Sequence, residues 1–230
     1  MDRDAAKNAA GTQAAALVDD GMHLGFGTGS TTAHALDALA RRVAEEDLHV
    51  RGVPTSYAAE QRARALGLPL TTLDDTPTLD LALDGADEVD AAGRLIKGRG
   101  AAHTREKVVA TQADRFVVLV DPTKLVDQVG DERVLPVEVL PMAATPVADA
   151  LEGWGAVPTL RTGEAKDGPV VTDQGFWIVD AAFPDGIADP AALNDALNAQ
   201  PGILDHGLFL DQATDVLVGH PDGSVDHRTP

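Results

Sequence analysis

The sequence predicts an α/β protein in which a mostly parallel sheet has helices on both faces, together with a smaller α+β domain. Two observations lead to this fold class. In the first half of the chain, short apolar runs alternate with helical patterns, as is typical of parallel strands joined by crossover helices. After Gly130 the predicted strands and helices follow one another at a shorter spacing, which indicates a second, smaller domain.

The elements of the first half follow from their start and stop signals. Alanine-rich or apolar-periodic runs that end at glycine indicate helices, and short apolar runs bounded by turn residues indicate strands. Helices are predicted at residues 4–19, 33–43, 56–66 and 104–111, and strands at residues 22–26, 48–53, 68–73, 79–83 and 115–120. Thr104 is expected to cap the last of these helices. Polar residues that directly follow parallel strands should lie at the ligand-binding edge of the sheet.

The second half yields a different pattern. Strands are predicted at residues 134–141 and 157–161, a hairpin at 170–180, and helices at 146–151 and 190–197. Apolar residues 203–210 and 216–218 are expected to return to the first sheet, and residues 221–230 to form a polar tail. The prediction is therefore a Rossmann-like domain of residues 1–129 and 205–230, and a ferredoxin-like α+β domain of residues 130–204.

Composition restricts the possible functions. The chain of 230 residues has a formal net charge of -19 and no cysteine. A nucleic-acid partner is not expected, because phosphate backbones are bound by basic surfaces. Disulfides, thiolate nucleophiles and cysteine metal sites are excluded, and the histidines lack ligand spacing, so no metal is expected. The excess of aspartate over lysine suggests adaptation to high salt, where a Debye length of about 3 Å at molar ionic strength screens self-repulsion.

The sequence also lacks membrane and export signals. No apolar run approaches the length of a membrane span, and the polar start of the chain does not resemble a signal peptide. We therefore expect a soluble, cytoplasmic protein with no membrane partner.

A glycine-rich turn follows the first predicted strand and leads into a helix. It reads Gly25-Phe26-Gly27-Thr28-Gly29-Ser30-Thr31. Backbone N–H groups, the positive helix end and the hydroxyls could hold an anion such as phosphate. A dinucleotide site is disfavoured because Ser30 replaces the third glycine, and a Walker A loop is excluded because no Gly-Lys-Ser/Thr occurs here. A tight turn without any ligand remains an alternative.

Most of the side chains suited to catalysis lie between residues 79 and 107. A buried strand ends at Asp84-Gly85-Ala86-Asp87-Glu88, and Lys97 follows before the flexible Gly98-Arg99-Gly100. Glu106 then lies in the first turn of a helix. Carboxylates at the end of a strand, a lysine and a further glutamate suit proton transfer on a polar substrate. Glu88 could equally be structural.

In this order and spacing, the motifs resemble the ribose-5-phosphate isomerase A family. The resemblance rests on the glycine-rich turn, residues 84–88, residues 97–107, Asp121-Pro122-Thr123-Lys124 and Pro136-Val137-Glu138-Val139. It implies reversible conversion of D-ribose 5-phosphate and D-ribulose 5-phosphate in the non-oxidative pentose phosphate pathway. It also implies that neither a metal nor an organic cofactor is needed, and that the enzyme is a homodimer or homotetramer.

The same resemblance implies roles for individual residues. Glu106 would move the proton between C2 and C1 through a cis-enediolate, and Lys97 would stabilise the oxyanion. Asp84 and Asp87 would hold the sugar hydroxyls and assist ring opening. The implied substrate-binding residues are Lys7, Thr28, Gly29, Ser30, Thr31, Gly85, Ala86, Gly98, Arg99, Gly100 and Lys124, with Lys7 and Lys124 supplying positive charge near the phosphate.

Two positions depart from the family pattern, and two other protein classes remain open. Arg99 interrupts a loop that is commonly all glycine, and its side chain could contact substrate, lie along the surface or pair with an acid. His103 occupies a position where an apolar residue is common, and it is expected to be a packed or surface histidine. A sugar-phosphate-sensing module of a transcription regulator would lack the full acid, lysine and glutamate set. A glucosamine-phosphate deaminase or acyl-CoA transferase would carry a different catalytic stretch.

Overall fold

The structure is a computed structural model that describes residues 2–165 and 167–230. Its helices are α1 (Arg3–Ala15), α2 (Ser30–Glu46), α3 (Tyr57–Ala65), α4 (His103–Thr111), α5 (Ala144–Gly153) and α6 (Pro190–Ala199). Its strands are β1 (His23–Phe26), β2 (Arg51–Pro54), β3 (Leu79–Gly85), β4 (Glu88–Val89), β5 (Leu95–Ile96), β6 (Ala113–Val120), β7 (Leu135–Val139), β8 (Val157–Leu160), β9 (Trp177–Ala182), β10 (Ile203–His206), β11 (Leu208–Phe209), β12 (Asp215–Gly219) and β13 (Val225–Arg228). None of the described helices combines the length and apolar character that a membrane span requires.

The chain forms two compact units, neither of which is a single continuous segment. The first contains the residues up to Ala86, Arg105–Leu125 and Asp211–Pro230, and the second contains Asp87–Thr104 and Val126–Leu210. The domain limits expected from the sequence, at residues 129 and 204, remain a prediction.

The first unit is built on a mostly parallel sheet, as predicted. Within the described part of the chain, six strands run in the order β13-β12-β6-β3-β1-β2. All neighbouring pairs are parallel except β12 and β13. The strands β6, β3 and β1 are neighbours, so their carboxyl ends lie side by side at one edge of the sheet.

Helices cover both faces of this sheet, which confirms the predicted fold class. On one face, α1 and α2 pack over Leu24 and Phe26 of β1 and their neighbours in β3 and β6. Gly25 points to the opposite face, because successive side chains of a strand alternate. A Cβ atom on Gly25 would lie 2.6 Å from Cγ1 of Val109, so α4 packs closely against β1 on this second face.

The second unit has the ferredoxin-like arrangement that the sequence predicts. Strands β7, β8, β9 and β10 form an antiparallel sheet in the order β10-β7-β9-β8, and α5 and α6 connect them as in a β-α-β-β-α-β unit. Apolar residues of the sheet, including Val137, Val139 and Val179, pack with Leu151 and Leu197 of the two helices. A further small sheet has the order β11-β5-β4.

The strand predicted at residues 68–73 is absent, so that prediction was wrong. Only Leu70 pairs there, through an isolated parallel bridge to Gly52 of β2. The N–H of Gly52 donates to the carbonyl of Pro69, and the N–H of Thr71 donates to the carbonyl of Gly52. Pro69 itself has no N–H to continue a ladder, so the apolar run pairs only locally.

The end of the chain differs from the prediction in two respects. Strands β10 and β11 do not return to the first sheet, because β10 pairs with β7 and β11 pairs with β5 inside the second unit. Residues 221–230 are not simply a tail, because β13 pairs antiparallel with β12. As an edge strand with exposed charged side chains, β13 lacks the apolar signal of a buried strand.

Asp215 at the start of β12 holds a polar cluster in the first unit. Its carboxylate accepts hydrogen bonds from Arg115 Nη2 at 2.9 Å and from Thr214 Oγ1 at 2.7 Å, and it contacts His227 Nε2 at 2.6 Å. Burial alone would raise the pKa of Asp215, but the hydrogen bonds from Arg115, Thr214 and His227 outweigh it and lower the pKa to about 2.

We expect Asp215→Asn to lower the free energy of unfolding at pH 7 by about 2 kcal/mol. Because the folded-state pKa is depressed, the contribution of Asp215 is present above its unfolded pKa of about 3.9 and is lost as the pH falls towards 2. Urea unfolding of both proteins at several pH values should therefore show a difference that shrinks below pH 4. Asp226→Asn, which removes an exposed acid, is the control, and an equal effect of both variants would contradict the assignment.

Candidate active site

The glycine-rich turn after β1 is built around Asp84, the last buried side chain of β3. Oδ1 of Asp84 accepts the N–H of Gly85 at 2.7 Å and the N–H of Thr28 at 3.0 Å. A Cβ atom on Gly27 would lie 2.4 Å from Cγ of Asp84, so only glycine allows the turn to come this close. Asp84 is 2% exposed, and these contacts fix its carboxylate in one orientation.

The side chain of Thr28 belongs to a hydroxyl network rather than standing alone. Its Oγ1 lies 2.8 Å from Oγ1 of Thr55 and 2.6 Å from Oγ of Ser56. Ser56 also caps α3 by accepting the N–H of Ala59. We did not predict Thr55 and Ser56 as site residues, although they follow β2 at the same edge of the sheet as the glycine-rich turn.

Lys7 reaches the start of α2 from the first turns of α1. Its Nζ donates to Oγ of Ser30 at 2.9 Å. Gly29 precedes the helix with φ of 115°, a conformation that favours glycine, and no side chain at that position caps the first N–H groups of α2. Thr31 follows Ser30 in the first turn. This end of α2 thus presents backbone N–H groups, hydroxyls and an ammonium group, which together suit an anion.

Lys124 and Glu106 complete the predicted residues of the first unit. Lys124 ends a 3-10 turn that follows β6, and Asp121 caps this turn by accepting the N–H of Thr123 at 2.9 Å. Lys124 therefore follows β6, and Asp84 lies near the end of the neighbouring parallel strand β3. Glu106 lies in the first turn of α4 and is only 6% exposed.

In the second unit, Lys97 directly follows β5 and is almost fully buried. It is 3% exposed, and its Nζ lies 5.7 Å from the centroid of the Phe209 ring. Its backbone N–H donates to the carbonyl of Gly207 at 2.9 Å. A buried ammonium group over an aromatic ring is held in place and shielded from water, which strengthens its interaction with a developing negative charge.

The loop after Lys97 has a strained backbone and is connected to Asp87. Gly98 has φ of 104°, and Ala101 has φ of 58°, which is unusual for a residue with a side chain. The N–H of Arg99 donates to Oδ2 of Asp87 at 3.0 Å. The side chain of Arg99 is exposed and makes no hydrogen bond or ion pair with residues 2–165 or 167–230. Of the three possibilities weighed for Arg99, the structure does not show pairing with an acid.

The start of α4 differs from the prediction for Thr104. The helix begins at His103, so Thr104 lies within its first turn and does not cap it. The Thr104 hydroxyl instead donates to the carboxylate of Glu138, which also accepts the hydroxyl of Thr172. His103 is fully buried, and a Cβ atom on Gly98 would lie 2.6 Å from its Nδ1, so this histidine packs under the loop.

Glu88 has a structural role, one of the two possibilities weighed for it. Its carboxylate accepts the backbone N–H groups of Gly130 at 2.6 Å, Glu132 at 2.7 Å and Arg133 at 2.6 Å. Burial raises the pKa of Glu88, while these hydrogen bonds oppose that shift. This side chain therefore organises the turn at residues 130–133.

The structure places the predicted site residues in both units. In the first unit, Asp84, Thr28 and Gly85 are joined by hydrogen bonds, as are Lys7 and Ser30. In the second unit, Asp87 and Arg99 are joined in the same way, next to Gly98, Gly100 and Lys97 along the chain. Ala86 is half-buried and ends the first segment of the first unit. Across the residues that the structure describes, no group of three or more His, Asp or Glu side chains could hold a metal ion.

Comparison with known proteins shows which family this chain resembles. Residues 51–223 match the family model for ribose 5-phosphate isomerase A (phosphoriboisomerase A). The chain is 53% identical over 225 residues to the ribose-5-phosphate isomerase A of Natronomonas pharaonis, covering 98% of this chain and 97% of that protein. It is also 53% identical over 220 residues to the same enzyme of Haloarcula marismortui, covering 96% and 94%.

Two solved structures superpose on almost the whole of this chain. A D-ribose-5-phosphate isomerase in complex with phospho-erythronic acid superposes with a TM-score of 0.96 at 41% identity and covers 100% of both chains. The ribose 5-phosphate isomerase A of Methanocaldococcus jannaschii superposes with a TM-score of 0.93 at 41% identity, covering 97% of this chain and 98% of that one. The chain therefore belongs to the ribose 5-phosphate isomerase A family.

Proposed function

We propose that this chain catalyses the reversible conversion of D-ribose 5-phosphate to D-ribulose 5-phosphate in the non-oxidative pentose phosphate pathway. It would do so as an aldose-ketose isomerase that needs neither a metal nor an organic cofactor. The observation that carries the proposal is the burial of a carboxylate and an ammonium group, Glu106 and Lys97, which are 6% and 3% exposed. Buried ionisable groups are costly to a fold and are concentrated at functional sites.

In the proposed mechanism Glu106 is the proton carrier. Its carboxylate removes the proton from C2 of the open-chain aldose, and the electron pair forms the C1–C2 double bond while the C1 carbonyl oxygen becomes an oxyanion. The proton of the C2 hydroxyl moves to the C1 oxygen, so the negative charge passes to the C2 oxygen. The enediolate then takes a proton from Glu106 at C1, the C1–C2 double bond becomes single, and the C2 oxygen becomes the ketone. Shielding from water suits this role because it strengthens the interaction of the carboxylate with the reacting carbon, while the remaining exposure still lets the carried proton exchange with solvent.

Lys97 and the two aspartates have complementary roles in this proposal. Lys97 stabilises the enediolate oxygen, because a cation already in place stabilises charge that develops in the transition state. Asp84 and Asp87 hold sugar hydroxyls and assist ring opening. Their carboxylates are oriented by the backbone N–H groups of Thr28, Gly85 and Arg99, which supports a positioning role for both acids.

The phosphate is proposed to bind at the start of α2. Lys7, Ser30 and Thr31 supply an ammonium group and hydroxyls there, and Gly29 precedes the uncapped helix end. Lys124 adds positive charge, while Gly85, Ala86, Gly98 and Gly100 contribute backbone close to the acids and the lysine along the chain. The glycine-rich turn would thus bind a single phosphate rather than a dinucleotide.

We expect Lys7→Met to raise KM for ribose 5-phosphate by about tenfold with kcat changed by less than about threefold, because it removes a charge-assisted contact made in both ground and transition states. Steady-state kinetics of the two proteins would measure this. Arg3→Met, which removes an exposed cation from the same helix, is the control. A fall in kcat at unchanged KM would contradict phosphate binding by Lys7.

The proposed activity can be tested by incubating the protein with ribose 5-phosphate and EDTA in molar KCl and measuring ketose formation. Ketose should form in the presence of EDTA, and unphosphorylated ribose should react far more slowly. No ketose from folded protein would contradict the proposed function. Phospho-erythronic acid, the ligand in the related structure, is proposed to bind the same residues and to inhibit.

We also propose a cytoplasmic, salt-adapted homodimer or homotetramer. The net charge of -19 supports salt adaptation, since dissolved ions screen repulsion between the acidic side chains. Thermal unfolding in KCl should show a midpoint that rises from 0.1 M salt to about 2 M salt. A flat or falling series would contradict the adaptation, and light scattering in the same buffers would give the oligomeric state.

A further inference from the structure

Arg161, directly after β8 in the second unit, contacts the loop that follows Lys97. Its guanidinium binds Asp180 of β9 through two hydrogen bonds, Nε to Oδ2 at 2.8 Å and Nη2 to Oδ1 at 2.5 Å. The remaining nitrogen, Nη1, donates to the carbonyls of Gly98 and Arg99, both at 3.0 Å. The Arg161 side chain is 16% exposed, and its bonds to Asp180 and to the Gly98 carbonyl are partly buried, whereas the bond to the Arg99 carbonyl is exposed.

The first of these contacts fixes a peptide that also binds Asp87. In a trans peptide the carbonyl and the N–H point in opposite directions. The peptide between Gly98 and Arg99 accepts from Arg161 through its carbonyl and donates to Oδ2 of Asp87 through its N–H. Arg161 and Asp87 therefore hold this peptide from its two sides, and the bond to a cationic donor polarises the N–H towards the acid.

The second contact orients the next peptide. The carbonyl of Arg99 faces Arg161, so the N–H of Gly100 points away from it. No residue in the described part of the chain accepts this N–H. The peptide therefore presents a backbone donor on the side away from Arg161, in a loop next to Lys97.

The loop needs such a support because its backbone is strained. Gly98 and Ala101 both have positive φ, and for alanine this conformation costs about 1 kcal/mol. The loop itself supplies one hydrogen bond, from the N–H of Ala101 to the carbonyl of Gly98. The contacts from Arg161 fix the plane of two consecutive peptides and so restrict the loop to one shape.

We propose that Arg161 and Asp180 are positioning residues of the active site. Arg161 holds the Lys97 loop, and Asp180 orients and neutralises the guanidinium. Together they set the position of Lys97, of Asp87 and of the Gly100 N–H, which is a donor for an oxygen of the bound sugar phosphate. This inference rests on the proposed isomerase function and adds to it two residues that do not contact the substrate.

The test compares Arg161→Met with Arg115→Met. Arg115 also forms two hydrogen bonds with an aspartate, Asp215, but in the first unit and without contact to the loop. We expect Arg161→Met to lower kcat by about 10- to 100-fold with KM changed less than about threefold, because a displaced Lys97 affects the transition state most. It should also weaken binding of phospho-erythronic acid by about tenfold, measured by calorimetry. Arg115→Met should lose stability but keep kcat within about twofold of the wild type.

Two further single variants and one double variant complete the test. Arg161→Lys keeps the charge but cannot bind two carbonyls and a carboxylate together. Compared with Arg161→Met, it should therefore restore the free energy of unfolding but not kcat. If Arg161→Met does not fold, Arg161→Lys is compared with Arg115→Met instead. Asp180→Asn should lower kcat by a smaller factor, and combining it with Arg161→Met should add little, because both changes act on the same contact.

The outcomes separate the two proposals. If the wild type forms no ketose, the proposed function fails. If the wild type is active but Arg161→Met and Arg161→Lys keep kcat and ligand affinity at the level of Arg115→Met, the positioning role is overturned while the isomerase function stands. A selective loss of kcat and of phospho-erythronic acid binding in the Arg161 variants supports the positioning role.

Discussion

Replacing Glu106 with glutamine should lower kcat by about 10³- to 10⁴-fold, because the amide cannot carry the proton between C2 and C1. KM should change little, and phospho-erythronic acid should bind as well as to the wild type or better, since one negative charge is removed. The most direct measurement is made in D₂O. The wild type should exchange solvent deuterium into the sugar, and Glu106→Gln should not do so at a measurable rate.

Glu152→Gln is the matched control for this variant. Glu152 lies in α5 and is exposed, so the substitution makes the same change in charge without touching the proposed site. Its kcat should equal that of the wild type. Folded Glu106→Gln that retains full turnover, or that retains deuterium exchange, would remove Glu106 from the mechanism.

Replacing Lys97 with methionine should lower kcat by about 10²- to 10³-fold, the typical cost of removing one donor to a developing oxyanion. Methionine keeps the unbranched side chain, so packing against Phe209 should be largely retained. In contrast to the Glu106 variant, this one should also bind phospho-erythronic acid more weakly, because that acid carries negative charge. The two variants therefore differ in their affinity for phospho-erythronic acid and can be told apart by calorimetry.

Lys107→Met serves as the control because it also removes a lysine, and we assign Lys107 no role in substrate binding. It should leave both kcat and ligand affinity close to those of the wild type. Lys97→Arg should not restore activity, because a planar guanidinium cannot take the place of a compact ammonium in a buried position. An active Lys97→Met would mean that another group stabilises the enediolate.

The parts of the fold that the sequence predicted are those with strong local signals. Buried strands such as β3 and β6 are short apolar runs, and each is followed by polar residues that lie at one edge of the parallel sheet. The alternation with helices was enough to predict the sheet type. The βαββαβ order of the second unit likewise follows from the spacing of its elements.

Where the prediction failed, the deciding contacts either lie far apart in the chain or involve a strand without an apolar pattern. Residues 203–210 are apolar whichever sheet they join, and only tertiary packing assigns β10 to β7 and β11 to β5. The strand β13 is polar because one side of it faces solvent, so its pairing with β12 left no apolar pattern to read.

In the candidate site too, contacts between residues that are distant in the chain could not be predicted from the sequence. Motif order led to the proposal of the acids, the lysine and the glycine-rich turn as site residues, because each lies in a short continuous segment. The support of the Lys97 loop by Arg161 joins residues that are 63 and 62 positions apart. Nothing near Arg161 in the sequence distinguishes it from a surface arginine, and Thr104 carried an ordinary capping signal although its hydroxyl binds Glu138 in a distant strand.

The pairing of β11 with β5 affects attempts to separate the protein into parts. Strands β4 and β5 come from a segment that precedes α4, whereas β11 comes near the end of the chain. A fragment of residues 126–210 would leave Leu208 and Phe209 without their partner strand, and these large apolar side chains would face water. A protein that contains the second unit alone should therefore be obtained by circular permutation rather than by truncation.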